Sequence, residues 1–79
     1  MQVTVKLFSV LRQYWPGYDP ETGVRLELSP ASNVTEMLAL LNIPADKSPV
    51  VACNGLILKA ADRVPAGGVV HIFQPVSGG

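Results

Sequence analysis

Seventy-nine residues, 48% of them apolar, make one small globular domain and exclude a disordered chain. Six basic and six acidic side chains cancel and are scattered, so no cationic stripe exists to neutralise nucleic-acid phosphates. Cys53 and His71 are the only residues of their types, which excludes an internal disulfide and a Cys/His zinc site assembled from this chain.

The longest apolar run, residues 37–41, falls far short of the roughly 18 residues needed to cross a bilayer. The opening MQVTVKLFSVL has neither a basic leader nor a long apolar block, so it does not read as a signal peptide. The expectation is a soluble cytoplasmic chain with no membrane and no nucleic-acid partner.

Residues 2–8 alternate, with Val3, Val5 and Leu7 facing one way and Gln2, Thr4, Lys6 and Phe8 the other, which predicts a half-buried strand. Val10, Leu11, Tyr14 and Trp15 then fall at roughly helical spacing. A short helix should begin near Ser9 and stop before Pro16, which disfavours helical backbone at Trp15. The turn-rich PGYDPETG, 16–23, leads into a second alternating strand carrying Val24, Leu26 and Leu28.

The main helix is predicted over 33–42. Asn33 is a suitable N-cap with Glu36 three residues on, the pattern of a capping box. Val34, Met37, Leu38 and Leu41 form one apolar face, Asn42 tolerates a left-handed C-terminal position, and Pro44 bars continuation. Residues 50–53 and 56–59 flank Asn54-Gly55, a strong signal for a tight hairpin. A loop, AADRVPAGG, precedes a last strand over 69–73, with Val70 and Ile72 on one face and Val69, His71 and Phe73 on the other.

This order describes an α+β fold. A mixed sheet of about five strands packs on one main helix, with a short helix after the first strand. It resembles the β-grasp, or ubiquitin-like, arrangement, in which the first and last strands are central and parallel. The compact body is expected over 1–74, followed by a flexible diglycine tail over 75–79.

The tail reads FQPVSGG. Pro75 has no amide to donate, so the sheet should end there. Val76 and Ser77 are small, and Gly78 and Gly79 have no side chains, so the segment suits a narrow channel in another protein. A terminal carboxylate is ionised at neutral pH and is a poor electrophile until activated, for example as an acyl adenylate. No GxxxxGK[ST] phosphate-binding loop occurs, so activation must come from a partner.

The whole chain resembles the MoaD/ThiS family of ubiquitin-like sulfur carriers, most of all its molybdopterin-synthase small-subunit branch. The carrying stretches are KLFSVLR (6–12), VACNG (51–55) and PVSGG (75–79). The resemblance implies that Gly79 bears sulfur as a thiocarboxylate and that Gly78 gives clearance for entry. It implies three partners: an E1-like adenylating enzyme of MoeB/ThiF type, a sulfurtransferase, and a synthase large subunit of MoaE type. ATP and Mg²⁺ belong to the adenylating enzyme, and no cofactor or metal is bound by this chain. The chain is then a non-catalytic carrier subunit serving molybdenum or tungsten cofactor synthesis.

In that family Phe8, Ile57 and Phe73 match apolar positions of the partner-binding face, with Pro75, Val76 and Ser77 following as the tail enters. Gln74 stands where the family usually has a first proline, Gln13 where an acidic residue often follows the arginine, and the 16–23 loop is long. Alternative readings are a carrier for thiamin thiazole synthesis, a modifier forming isopeptide bonds through Gly79, and a scaffold with an inert tail. His71 reads as a half-exposed structural residue, Cys53 as inert core, and Lys6, Lys47 and Lys59 as solvated charges. Arg12 either orients a partner or joins a surface ion pair.

Overall fold

A computed structural model describes residues 1–75. Strand β1 (Gln2–Leu7) buries Val3, Val5 and Leu7, as the alternation requires. It stops one residue before Phe8, because Ser9 takes a left-handed φ of 55° and turns the chain out of the sheet. The short helix that follows, Ser9–Tyr14, is 3₁₀ and not α. Confined between a left-handed residue and Pro16, it has room for the tighter form alone, and only Leu11 is fully buried while Val10 is exposed.

Two side chains close off the strand's last backbone groups. The Tyr18 hydroxyl accepts from the Leu7 amide at 2.8 Å, and Arg12 Nε donates to the Leu7 carbonyl at 3.0 Å. The Arg12 guanidinium also lies 5.5 Å from the Tyr18 ring centroid, a cation–π distance. Arg12 is therefore engaged within the fold.

Strand β2 (Val24–Glu27) pairs antiparallel with β1, placing Val24 opposite Val5 and Leu26 opposite Val3. Gly23 has a φ of +70°, and a Cβ there would stand 2.5 Å from the Val5 carbonyl oxygen. Only glycine permits this entry into the strand.

Helix α1 (Val34–Leu40) carries the expected capping box. The Asn33 side chain accepts from the Glu36 amide at 2.9 Å, and the Glu36 carboxylate accepts from the Asn33 amide at 3.0 Å. The regular helix is shorter than 33–42 because Asn33 and Leu41 are its caps, and Asn42 takes the left-handed φ of 60°. A second 3₁₀ turn, Ala45–Lys47, follows Pro44 and has no periodic signal in the sequence.

Strands β3 (Val50–Cys53) and β4 (Leu56–Leu58) form the hairpin, with Asn54 and Gly55 at φ of 53° and 80°. Two successive positive φ values match the right-handed twist of the flanking strands. Strand β5 (Val69–Phe73) pairs parallel with β1 and antiparallel with β3, giving the order β2-β1-β5-β3-β4. The first and last strands are parallel neighbours inside a mixed five-strand sheet, the β-grasp arrangement.

The core lies on one face of the sheet, where Met37 and Leu41 meet Val5, Leu7, Val70 and Ile72. Val64, from the loop before β5, joins it, and its amide donates to the Ser32 carbonyl at 3.0 Å. That loop has no periodicity, so the sequence does not reveal Val64 as a core residue. Cys53 is buried as expected.

Candidate functional site

Successive residues of a strand point to opposite faces, so burying one set presents the other together. The register sets Lys6, His71, Ala52 and Ile57 side by side across β1, β5, β3 and β4. In the adjacent row Phe73 stands opposite Val50, and the Phe8 amide donates to the Ile72 carbonyl at 3.2 Å, holding Phe8 beside β5. Phe8, Phe73 and Ile57 therefore share the face opposite α1, although they come from the beginning, end and middle of the chain.

This outer face is open. Ile57 is 62% exposed and Phe8 39%, while Phe73 is half-buried. Val69 adds a further exposed apolar group. Sequence reasoning assigned His71 a structural place, yet its exposed ring lies 5.8 Å from the Phe8 ring, tilted 47°, within the apolar band. Alternation over 69–73 already put His71 on the Phe73 side. The pairing of β5 with β3, invisible in one sequence, makes it central.

Lys6 is also on this face, but its ammonium is drawn aside. Its Nζ donates to the Pro20 and Glu21 carbonyls at 3.0 and 2.7 Å, so Lys6 anchors the 16–23 loop. The long loop is thereby tied to β1.

Strand β5 ends at Phe73, and exposed Pro75 follows two residues on. The chain leaves the sheet at the same end as Phe8 and Phe73. Val76, Ser77, Gly78 and Gly79, and with them most of the expected 75–79 tail, lie outside the described residues.

On the helix side, a concavity of about 250 Å³ is lined largely by Val34, Leu38, Ile43, Pro49, Val51 and Leu58. It is below the roughly 300–1,000 Å³ usual for ligand pockets and is largely apolar. Among the described residues, no helix is long and apolar enough to cross a membrane.

Residues 5–79 match the ThiS family, nearly the whole chain. The chain belongs to the ThiS family. Its members are small ubiquitin-like proteins, sulfur carriers or protein modifiers, generally non-catalytic, that work with E1-like enzymes and partner subunits. No curated protein sequence matches this ThiS-family chain.

Among solved structures it is similar to SAMP1 of Haloferax volcanii, with 26% identity, a TM-score of 0.70 and complete coverage of both chains. A second H. volcanii structure, of small archaeal modifier protein 1, gives 22% identity and a TM-score of 0.71 over 95% of this chain and 98% of that one. A Pyrococcus furiosus protein assigned as molybdopterin converting factor, subunit 1, gives 21% identity and 0.71 over 96% and 99%. The last two identities speak to fold, and the shared fold is the ubiquitin-like β-grasp.

Proposed function

We propose that this ThiS-family chain is the small, sulfur-carrying subunit of a molybdopterin synthase, serving molybdenum or tungsten cofactor biosynthesis. The supporting observation is the convergence of Phe8, Phe73 and Ile57 on one open sheet face, beside the point where β5 runs into Pro75 and the PVSGG motif. A broad apolar face gives a partner something to hold, while a slim tail reaches that partner's catalytic centre.

The chemistry runs through Gly79. Its carboxylate attacks the α-phosphorus of ATP in an E1-like adenylating enzyme, forming a mixed anhydride and releasing pyrophosphate. A sulfur nucleophile delivered by a sulfurtransferase then attacks the acyl carbon and expels AMP, leaving a thiocarboxylate. The carrier docks next on the synthase large subunit, which takes the sulfur for the dithiolene. Gly78 leaves room for the chain to pass, and Pro75, Val76 and Ser77 span the entrance. ATP, Mg²⁺ and the catalytic groups belong to the partners, and this chain is a carrier in the cytoplasm.

A modifier joined to lysines through Gly79 is the second reading, favoured by the 26% identity to SAMP1 over the full length of both chains. Intact-mass spectrometry of the chain from its own host separates the two. Replacement of one terminal oxygen by sulfur supports the carrier, and branched lysine conjugates support the modifier. An end that stays unmodified with ATP and the adenylating enzyme rejects both. Removing Gly79 should abolish sulfur transfer and leave thermal unfolding nearly unchanged, since the buried core of the described residues ends at Ile72.

A further inference from the structure

We infer that the free edge of β4 pairs with the same strand of a second copy, forming a two-fold dimer in which Leu56 of each chain seats against the helix-side concavity of the other. The two edges of the sheet differ in chemistry. Strand β2 presents exposed Arg25 and Glu27, whereas Leu56, Ile57 and Leu58 of β4 have neither charge nor proline to discourage pairing. Leu56 and Ile57 are 67% and 62% exposed.

The hairpin decides which backbone groups are open. Its two-residue turn makes Cys53↔Leu56 and Val51↔Leu58 the hydrogen-bonded pairs, so the Ile57 amide and carbonyl point away from β3. The Lys59 amide, next in line, already donates to the Asp62 carboxylate at 2.7 Å, which closes the edge beyond Leu58. So short an opening gives a foreign peptide little to hold. It suits a two-fold axis through Ile57, where each Ile57 amide donates to the other copy's Ile57 carbonyl.

Antiparallel register about that axis sets Leu56 of one copy opposite Leu58 of the other, on the face that carries α1. Leu58 borders the concavity of about 250 Å³, whose walls include Val34, Leu38 and Ile43. One chain thus holds both an exposed apolar knob and an apolar recess, at the offset the pairing demands, and the two-fold makes that contact twice. Lys59 falls opposite Gly55 of the other copy, so no like charges oppose. Phe8, Phe73 and the exit at Pro75 follow β1 and β5, at least two strand spacings or about 10 Å away, so this dimer does not depend on the carrier reading.

Sedimentation equilibrium of the full chain tests it. The 8.4 kDa monomer should give way to a species of twice that mass as concentration rises through about 0.1 mM, the weak class expected of a small interface. Leu56→Glu puts a carboxylate against the apolar recess and should weaken association about tenfold or more. Phe8→Ala, on the outer face, should leave it within about twofold. Ile57→Cys reports the register, since Cα atoms about 5.5 Å apart across the axis are within disulfide reach. Diamide should therefore crosslink Ile57→Cys into a dimer and spare Leu56→Cys, which stands offset from its own counterpart. Matching unfolding temperatures confirm that each variant is folded. A chain still monomeric at about 1 mM overturns the inference. So does association lost in Phe8→Ala but kept in Leu56→Glu, or crosslinking of Leu56→Cys in preference to Ile57→Cys.

Discussion

On the helix side of the sheet, Val3, Val5, Leu7, Val70, Ile72 and Val51 are buried beneath α1 and its flanking loops, whereas on the other side Phe8, Ile57 and Val69 meet solvent. Both sets come from the same strands, one residue apart. One seven-residue helix can cover only one face of five strands. Single exposed apolar side chains are common on any protein, but an apolar band crossing from β1 to β4 calls for a covering partner. The inner face thus answers to the fold and the outer face, on the proposed reading, to association, and substitutions should then divide along that line.

The largest stability loss belongs at the centre of the inner face. Ile72 is fully buried and lies in register between Leu7 and Val51. Ile72→Ala removes buried methylenes and leaves a cavity, at a cost of about 3 kcal/mol. That is a large share of the roughly 5–15 kcal/mol holding a domain together, and urea unfolding should show a much lower midpoint.

Next in size is Gly23→Ala, where positive φ and contact with the Val5 carbonyl act together, for a loss of about 2 kcal/mol. Gly17, at φ +77° with nothing within 4 Å of an added Cβ, supplies the control. Gly17→Ala should cost about 1 kcal/mol, the backbone contribution without the clash. Equal losses at the two glycines would show that the strand entry relaxes away from Val5.

Much of the inner face was legible in the sequence because it is periodic. Alternation in 2–8, 24–28 and 69–73 and the i, i+3, i+4, i+7 spacing of the helix each name residues that the structure buries. Asn54-Gly55 and the Asn33/Glu36 pair fix a turn and a cap through local chemistry alone. Val64 and the Ala45–Lys47 turn were not legible, since their places depend on Ser32 and Pro44 contacts without repeat. The outer face was half legible: alternation separates Phe8 and Phe73 from the core, but only strand order brings Ile57 and His71 beside them. Arg12 shows the same limit, because its engagement with Leu7 and Tyr18 depends on how the 16–23 loop folds back.

A smaller effect is expected at the helix start. Asn33→Ala removes the acceptor for the Glu36 amide and should cost about 1 kcal/mol. Glu36→Gln preserves the reciprocal bond to the Asn33 amide and should be nearly neutral. Thermal unfolding of the pair then separates the cap's hydrogen bonds from the charge near the helix N-terminus.

The smallest stability change carries the most information about the outer face. Ile57 is mostly exposed on an edge strand, so Ile57→Ala should alter unfolding by no more than about 0.5 kcal/mol. If the band is a docking surface, the same substitution should reduce affinity for the adenylating enzyme by about tenfold, because the lost side chain would be buried only in the complex. A stability loss comparable to that of Ile72→Ala would place Ile57 in the fold's own packing. Unchanged affinity with unchanged stability would leave the apolar band without a role in association. A silent unfolding curve paired with weakened docking is the result that distinguishes a surface kept for a partner from one kept for the core.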